Sequence, residues 1–228
     1  MIKEIVVSRY KEIVYKWIKN VPPDVRITLY NKAPQPQFKF CDAVLELAHR
    51  VECLPNIGRE GHTYLHHIVH NYHNLADITF FSQGDPRPHL WGQSIPSFFD
   101  FEDATVSASK MRLVSNMGSR SKTAGWLLGN PMPDHIFTKK SNTRWGTVKP
   151  SVYTFPAWWE TYVQLPIPDS KTVQFSWGGI FSVTKPYILS YSLDYYEQLL
   201  QTLSTDINPE EGHFLERAWS YIFNPKNE

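Results

Sequence analysis

Short β-branched runs alternate with stretches of helical spacing along the first third of the chain. Residues 5–8 and 25–30 are such runs and predict strands. Residues 9–19, between them, carry apolar side chains at helical spacing, and the prolines at 22–23 close the predicted helix. A strand–helix–strand unit of this length predicts two neighbouring parallel strands joined by a right-handed crossover, which is typical of nucleotide-binding α/β sheets.

The same alternation continues, with one long interruption. Further helices are predicted at residues 42–51, 58–74, 191–203 and 209–223, the last capped by Asn208, and a short helix starts at residues 184–186. Further strands are predicted at residues 76–81, 151–155, 173–175 and 177–183. Residues 87–176 otherwise lack periodicity and predict long active-site loops. We therefore expect one α/β domain with a nucleotide-binding half (1–86), a loop-rich region (87–176) and an acceptor or catalytic half (177–228).

Composition narrows the function classes. The net charge of +1 over 228 residues gives no field that would select nucleic acid or an anionic membrane. No run of about 18 apolar residues occurs, so no membrane span is expected. Two cysteines without a secretion signal predict reduced thiols and a cytoplasmic protein. The eight tryptophans could stack on sugars or bases, or fill the core.

Residues 56–62 place two glycines and Arg59 at the start of a predicted helix. Free N–H groups and the helix dipole favour an anion at such a position, and Arg59 could grip a phosphate with two hydrogen bonds. The alternative is an ordinary helix start in which Arg59 pairs with Glu60 on the surface.

The predicted fourth strand ends in Gln83, Gly84 and Asp85. Ligands of open α/β sheets bind beyond the carboxyl ends of the strands, and a carboxylate there can hold Mg²⁺ or Mn²⁺. An alternative of equal weight is a turn aspartate whose side chain only forms hydrogen bonds with its own backbone.

Two helices carry further candidate groups. His62, His66 and His70 recur every fourth residue, a spacing that zinc ligands use, but without a cysteine pair a histidine face free of metal is favoured. On the last helix Glu216 and His213 share one flank, so Glu216 is a candidate general base. From spacing alone, a surface helix with Glu–Arg pairs is the better interpretation.

Several motifs in order give a family resemblance. The chain resembles a family catalogued as domain of unknown function 3431 and grouped with GT-A glycosyltransferases, and the motifs lie at residues 6–10, 30–32, 54–65, 71–77, 81–86, 177–183 and 212–219. The last two are similar to the acceptor-side strand and catalytic helix of core-2-type branching transferases. A viral capsid-glycan glycosyltransferase domain is a weaker resemblance.

The resemblance implies a single GT-A-like, Rossmann-type domain. It implies a UDP- or GDP-linked sugar donor, Mn²⁺ or Mg²⁺, and a glycan or glycoprotein acceptor. Asp85 and His213 would bind the metal, and Glu216 would deprotonate the acceptor, with inversion at the anomeric carbon. Donor-binding positions implied in this way are Ser8, Arg9, Tyr10, Asn31, Arg59, His62, Gln83 and Asp85.

One departure from the family pattern leaves rivals open. A single acid, Asp85, stands where two aspartates are expected, so an inactive carbohydrate- or nucleotide-binding module is the first alternative. A metal-dependent hydrolase built on the histidine face is the second.

Overall fold

The computed structural model of the chain describes residues 1–34, 42–90, 94–100, 111–113, 147–167 and 179–223. The strand predicted at residues 173–175 lies outside these ranges, as do the first two residues of the strand predicted at 177–183.

The described strands form one mixed, mostly parallel sheet. They are β1 (Lys3–Arg9), β2 (Val25–Asn31), β3 (Arg50–Cys53), β4 (Ile78–Gln83), β5 (Met111–Leu113) and β6 (Phe181–Thr184), in the order β3-β2-β1-β4-β6-β5. The first four are mutually parallel, and β6 runs antiparallel to its neighbours β4 and β5. The predicted α/β, Rossmann-like domain is confirmed.

Helices cover both faces of the sheet. The α-helices among the described residues are α1 (Tyr15–Ile18), α2 (Asp42–Leu47), α3 (Arg59–Asn71), α4 (Phe155–Trp158), α5 (Lys185–Ile188), α6 (Leu193–Thr202) and α7 (Glu210–Ile222). A π-helical turn, Trp159–Val163, continues α4, and 3₁₀ turns occupy Tyr72–Asn74, Arg87–His89 and Ile95–Phe99. None of the helices in the described ranges has the length and apolar character needed to cross a membrane.

Alternation along the strands divides the core into two layers. Ile5 and Val7 of β1 join a cluster on the side of α1 and α2, whereas Val6 joins the cluster on the side of α3, α6 and α7. All three side chains are fully buried. Successive side chains of a strand point to opposite faces of the sheet, and here helices cover both faces. Because α3 and α7 share a layer, the polar groups of α7 lie beside the start of α3.

Two of the predicted helices are shorter than expected. The helix predicted over residues 42–51 stops at Leu47, because β-branched Val51 pairs in parallel with Leu29 of β2. The helix predicted over residues 9–19 shrinks to Tyr15–Ile18, because residues 10–12 form a tight turn closed by the Glu12 carboxylate.

The strand predicted at residues 151–155 is absent from the described structure, and helix α4 begins at its end. Thr154 caps that helix by accepting from the N–H of Ala157 at 3.4 Å, and Pro156 sits in its first turn. The predicted cap of α7 shifts by one residue, since its N-cap is Pro209. Asn208 Oδ1 instead accepts from His213 Nε2 at 3.0 Å.

Candidate ligand-binding site

A cleft opens where the strand order reverses, between the carboxyl ends of β1 and β4. It is bordered by residues 8–10 at the end of β1, Lys32 just beyond β2, Arg59 and Glu60 at the start of α3, and Gln83 at the end of β4. Its volume is about 170 Å³. Because a cavity of about 150 Å³ admits a benzene-sized molecule, the cleft can hold a diphosphate or one ring. This is the position at which open α/β sheets bind ligands.

The end of β1 is held by buried polar contacts. Ser8 Oγ lies 2.9 Å from Thr63 Oγ1 of α3, so Ser8 is tied to the helix beside the cleft. Arg9 donates to Asn31 Oδ1 at 2.7 Å and to the Glu12 carbonyl at 3.1 Å. Asn31 is 1% exposed and is not among the cleft-lining residues described, so it orients Arg9.

The carboxylate of Glu12 accepts hydrogen bonds from two backbone amides at the cleft. The N–H groups of Tyr10 and Lys11 donate to Glu12 Oε2 at 2.8 and 3.0 Å. A Cβ on Gly84 would lie 2.5 Å from the same oxygen, so a side chain at position 84 would require the Glu12 carboxylate to move. Successive amides pointing at one oxygen form a small anion-binding concavity, which Glu12 fills.

The backbone amides at the start of α3, which were predicted to face an anion, donate to carbonyls of the protein instead. Gly58 N–H donates to the Asp206 carbonyl at 2.7 Å and Arg59 N–H to the Ile207 carbonyl at 3.3 Å, so neither is free for an anion. The predicted role of the glycines changes as well. A Cβ on Gly58 would lie 2.5 Å from the Leu203 carbonyl oxygen, so its lack of a side chain serves helix packing.

Arg59 leaves this turn in a left-handed conformation and points toward α7. Its φ is 52° and that of Gly58 is 60°. Arg59 NH1 lies 3.1 Å from Nδ1 and 2.9 Å from Nε2 of His213, and Nε lies 3.5 Å from Glu60. Burial opposes its charge, but Glu60 and then Glu216 more than compensate and raise its pKa. Arg59 is therefore a fixed cation that joins the cleft to α7.

His213 is a neutral support for Arg59. It is 5% exposed, and burial, reinforced by Arg59 and Arg217, places its pKa well below the ordinary value. Its Nε2 faces the Asn208 amide oxygen, which can only accept, so the ring proton belongs there and Nδ1 can accept from Arg59.

Glu216 lies beside this cluster and is held by a neighbour. Its Oε2 accepts from Arg217 NH1 at 2.9 Å, and Glu216 is 8% exposed. Arg217 NH1 also donates to the His213 carbonyl at 3.0 Å. Among the residues that line the cleft, the carboxylates are Glu12 and Glu60, whose side chain is 15% exposed next to Arg59.

Asp85 and His213 do not fit a shared metal site. Asp85 accepts two hydrogen bonds from the Arg87 side chain, at 2.7 Å each, and these lower the pKa of its carboxyl. It borders a neighbouring depression with His89 rather than the cleft. His213 lies between cationic side chains, which repel a metal ion. In the described ranges no group of three or more His, Cys, Asp or Glu is arranged to hold a metal.

The predicted histidine face exists as a stack of rings along α3. The rings of His62 and His66 are 6.2 Å apart, and those of His66 and His70 are 3.9 Å apart. His66 Nε2 lies 3.1 Å from Glu52 Oε1. His62 is 6% exposed, and burial, followed by the charge of Lys32, lowers its pKa to about 3. It lies against Gly58 and is neutral.

Sequence reasoning brought together several residues that do line the cleft and missed others. The expected ones at its border are Ser8, Arg9, Tyr10, Arg59 and Gln83. Missed were Lys32, Glu60 and Glu12. A position directly after a parallel strand is the signal that could have identified Lys32, since Asn31 ends β2.

Comparison with known proteins identifies the family of the chain but assigns it no function. A family model described as "Protein of unknown function (DUF3431)" matches residues 5–228. No curated protein and no solved structure matches the chain.

Proposed function

Since the chain belongs to this family of proteins of unknown function, its activity must be inferred from the cleft, and we propose that it is a glycosyltransferase. It takes a sugar from a UDP- or GDP-linked donor and passes it to a hydroxyl of a glycan or glycoprotein.

One observation carries the proposal: cations from separate elements meet at the reversal of the sheet. Arg9 comes from β1, Lys32 follows β2 and Arg59 begins α3, and all border one cleft. A diphosphate needs such a set of donors, and Arg and Lys are the side chains that bind phosphate most strongly. Tyr10 at the same border offers a ring on which a base or sugar can stack.

The reaction that fits these groups is a displacement at the anomeric carbon. The acceptor oxygen forms the new bond, the bond between that carbon and the diphosphate breaks, and the nucleoside diphosphate leaves with the electron pair. Arg59 and Lys32 stabilise the charge that develops on the leaving phosphate. The hydroxyl proton passes to a carboxylate.

Two carboxylates flank Arg59 and are candidates for that base. Both are ion-paired, Glu60 with Arg59 and Glu216, the base implied by the family resemblance, with Arg217, but only Glu60 is among the cleft-lining residues described. The geometry favours Glu60, because a general base must reach the proton that it removes. The donor set at Asp85 and His213 does not fit a metal, so no step is assigned to one.

A binding module without catalysis is the second candidate function. It is favoured by Asp85 and Glu216, whose carboxylates are each ion-paired with an arginine. A module of this kind binds the nucleotide sugar and leaves its glycosidic bond intact.

Binding and turnover are tested separately. Thermal unfolding with UDP, GDP, UDP-glucose, UDP-N-acetylglucosamine and GDP-mannose, each with and without Mn²⁺, identifies the donor. Ligand at about 100 times its Kd adds about 2.7 kcal/mol to stability. Release of free nucleoside diphosphate is then measured with a panel of hydroxyl acceptors, and its absence with a bound donor supports the binding module. If no nucleotide stabilises the protein, both candidate functions are wrong.

The base is assigned with a pair of matched variants. Glu60→Gln is expected to lower turnover by about 100-fold or more, the usual worth of a general base, with donor affinity retained. Glu216→Gln is expected to have a smaller effect on turnover. The reverse ranking would return the role of base to Glu216.

A further inference from the structure

Lys32 is a buried ammonium group with an incomplete set of partners. Only 4% of the residue is exposed. Its Nζ donates to the carbonyls of Ile57 and Arg59, which leaves one of the three ammonium hydrogens without an acceptor in the described part of the chain. Among the described residues no carboxylate forms an ion pair with it, and Glu60 acts on it only through the electrostatic field.

A buried charge of this kind is costly unless it is paired. Removing an ammonium ion from water costs several kcal/mol, which hydrogen bonds to neutral carbonyls offset only in part. Lys32 borders the cleft, so an anion that enters the cleft can reach it. The geometry thus provides a cation and an approach to it.

We propose that a phosphate group of the ligand supplies the missing counter-ion of Lys32, so that anion binding in the cleft is coupled to protonation of this side chain. The proposal rests on the proposed function for the identity of the anion as the diphosphate of a nucleotide sugar. It does not depend on sugar transfer.

The electrostatic surroundings agree with this geometry. The pKa of Lys32 is lowered to about 7, chiefly by burial; the charge of Glu60 opposes this shift and the charge of Arg59 adds to it. The neutral His62 on α3 is also close to it, and the other titratable groups that line the same cleft are Arg9, Tyr10 and Glu12. An anion near Nζ favours the charged form, so the protein takes up a proton when the anion binds above pH 7.

Lys32 also acts as a positioning residue for Arg59. It holds the carbonyls on either side of Gly58, where both Gly58 and Arg59 have positive φ. A left-handed conformation is unfavourable for arginine, and these hydrogen bonds stabilise the turn. One ammonium group therefore binds the anion and fixes the direction of the second cation.

Sulfate is a suitable probe, because its charge does not change between pH 6 and 9 and any pH dependence belongs to the protein. Its Kd is measured by tryptophan fluorescence at constant ionic strength. For the wild type the affinity is expected to be level below pH 7 and to weaken about tenfold per pH unit above it.

Variants separate Lys32 from other groups. Lys32→Arg keeps a cation that does not titrate in this range, so its Kd is expected to be independent of pH. Lys32→Met is expected to weaken sulfate binding at least tenfold at pH 6 and to leave no pH dependence. Lys19→Met, at an exposed lysine on the α1 side of the sheet, is the matched control and is expected to behave as the wild type.

The outcomes decide each proposal independently. A wild-type Kd that stays constant between pH 6 and 9, or absent sulfate binding, overturns the coupling to Lys32, and this holds even if neither variant folds. Sulfate binding of the expected pH profile without sugar transfer supports the coupling and counts only against the glycosyltransferase.

Discussion

At the scale of single residues, the Glu12 carboxylate places a negative charge of the protein itself at the cleft. Its carboxylate accepts from the Tyr10 and Lys11 amides and its side chain borders the same cleft as Lys32. A phosphate entering the cleft meets this negative charge. We therefore expect Glu12 to weaken anion binding, while its hydrogen bonds hold the turn after β1 in shape.

Glu12→Gln tests this role. The amide oxygen of glutamine can keep both backbone hydrogen bonds, and the negative charge is lost. Pyrophosphate affinity is expected to rise about fivefold, which corresponds to about 1 kcal/mol for a charge about 4 Å away in a watery setting. Isothermal titration calorimetry at fixed salt measures it, with Glu46→Gln on the exposed side of α2 as control. Unchanged or weaker binding contradicts the role.

At the scale of elements, the start of α3 depends on a glycine pressed against the end of α6. Gly58→Ala places a Cβ 2.5 Å from the Leu203 carbonyl oxygen at a φ of 60°. Positive φ and a clash with backbone together are expected to lower the free energy of unfolding by about 2–4 kcal/mol. Urea denaturation measures the loss.

Gly212→Ala in α7 is the matched control. The nearest atom to its added Cβ is Arg59 Cδ at 3.8 Å, an ordinary contact. Alanine favours a helix over glycine by about 0.8–1.0 kcal/mol, so this variant is expected to be as stable as the wild type or more so. Equal effects of the two substitutions would show that close packing at Gly58 is not what stabilises the start of α3.

The elements that sequence predicted well are those whose periodicity is complete. Strands β1 and β2 and helices α3 and α7 carry apolar residues at a regular spacing, which burial in two layers then matches. Strand β3 was not predictable, because its only apolar β-branched residue, Val51, directly follows a helical pattern. The strand forms by pairing with β2, which lies well before it in the sequence.

The site was only partly predictable for a related reason. The carboxyl ends of β1 and β4 were identifiable, because the position of a ligand follows from sheet topology. That Asp85 would be held by Arg87, or that the amides of Gly58 and Arg59 would be taken by residues 206–207, depends on side-chain and loop geometry. The spacing of residues contains no record of such contacts. The metal expected at Asp85 stays a prediction, which the ion pair of Asp85 with Arg87 does not favour.

At the scale of the whole molecule, buried neutral histidines make stability depend on pH. The pKa values of His62 and His67 are lowered to about 3, and that of His213 also lies well below its ordinary value, in each case chiefly by burial. The unfolded chain therefore binds more protons than the folded one between about pH 6.5 and the folded values. Stability rises with pH across that window and is lost as pH falls through it.

Each histidine is expected to remove about 1.4 kcal/mol per pH unit as the pH falls below 6.5. Burial raises the pKa of Glu4, so this carboxyl binds more protons in the folded state than in the unfolded one. Above its ordinary pKa it therefore opposes the effect of the histidines and reduces the slope of stability against pH. Urea unfolding at pH 7.5, 6.5 and 5.5 measures the total. His67→Asn is expected to lessen the slope, and a free energy of unfolding that is constant over this range contradicts the prediction.

The bond between Arg59 and His213 joins groups separated by 154 positions, and the carbonyls of Asp206 and Ile207 hold the turn before Arg59. During synthesis, the sheet strands β1 to β4 can pair long before these partners leave the ribosome. The cleft then has its cations, but the direction of Arg59 is not yet fixed by His213. We therefore expect ligand affinity to be completed late in folding, when α7 docks, and a chain stopped before residue 206 to keep strands β1 to β4 without a finished site.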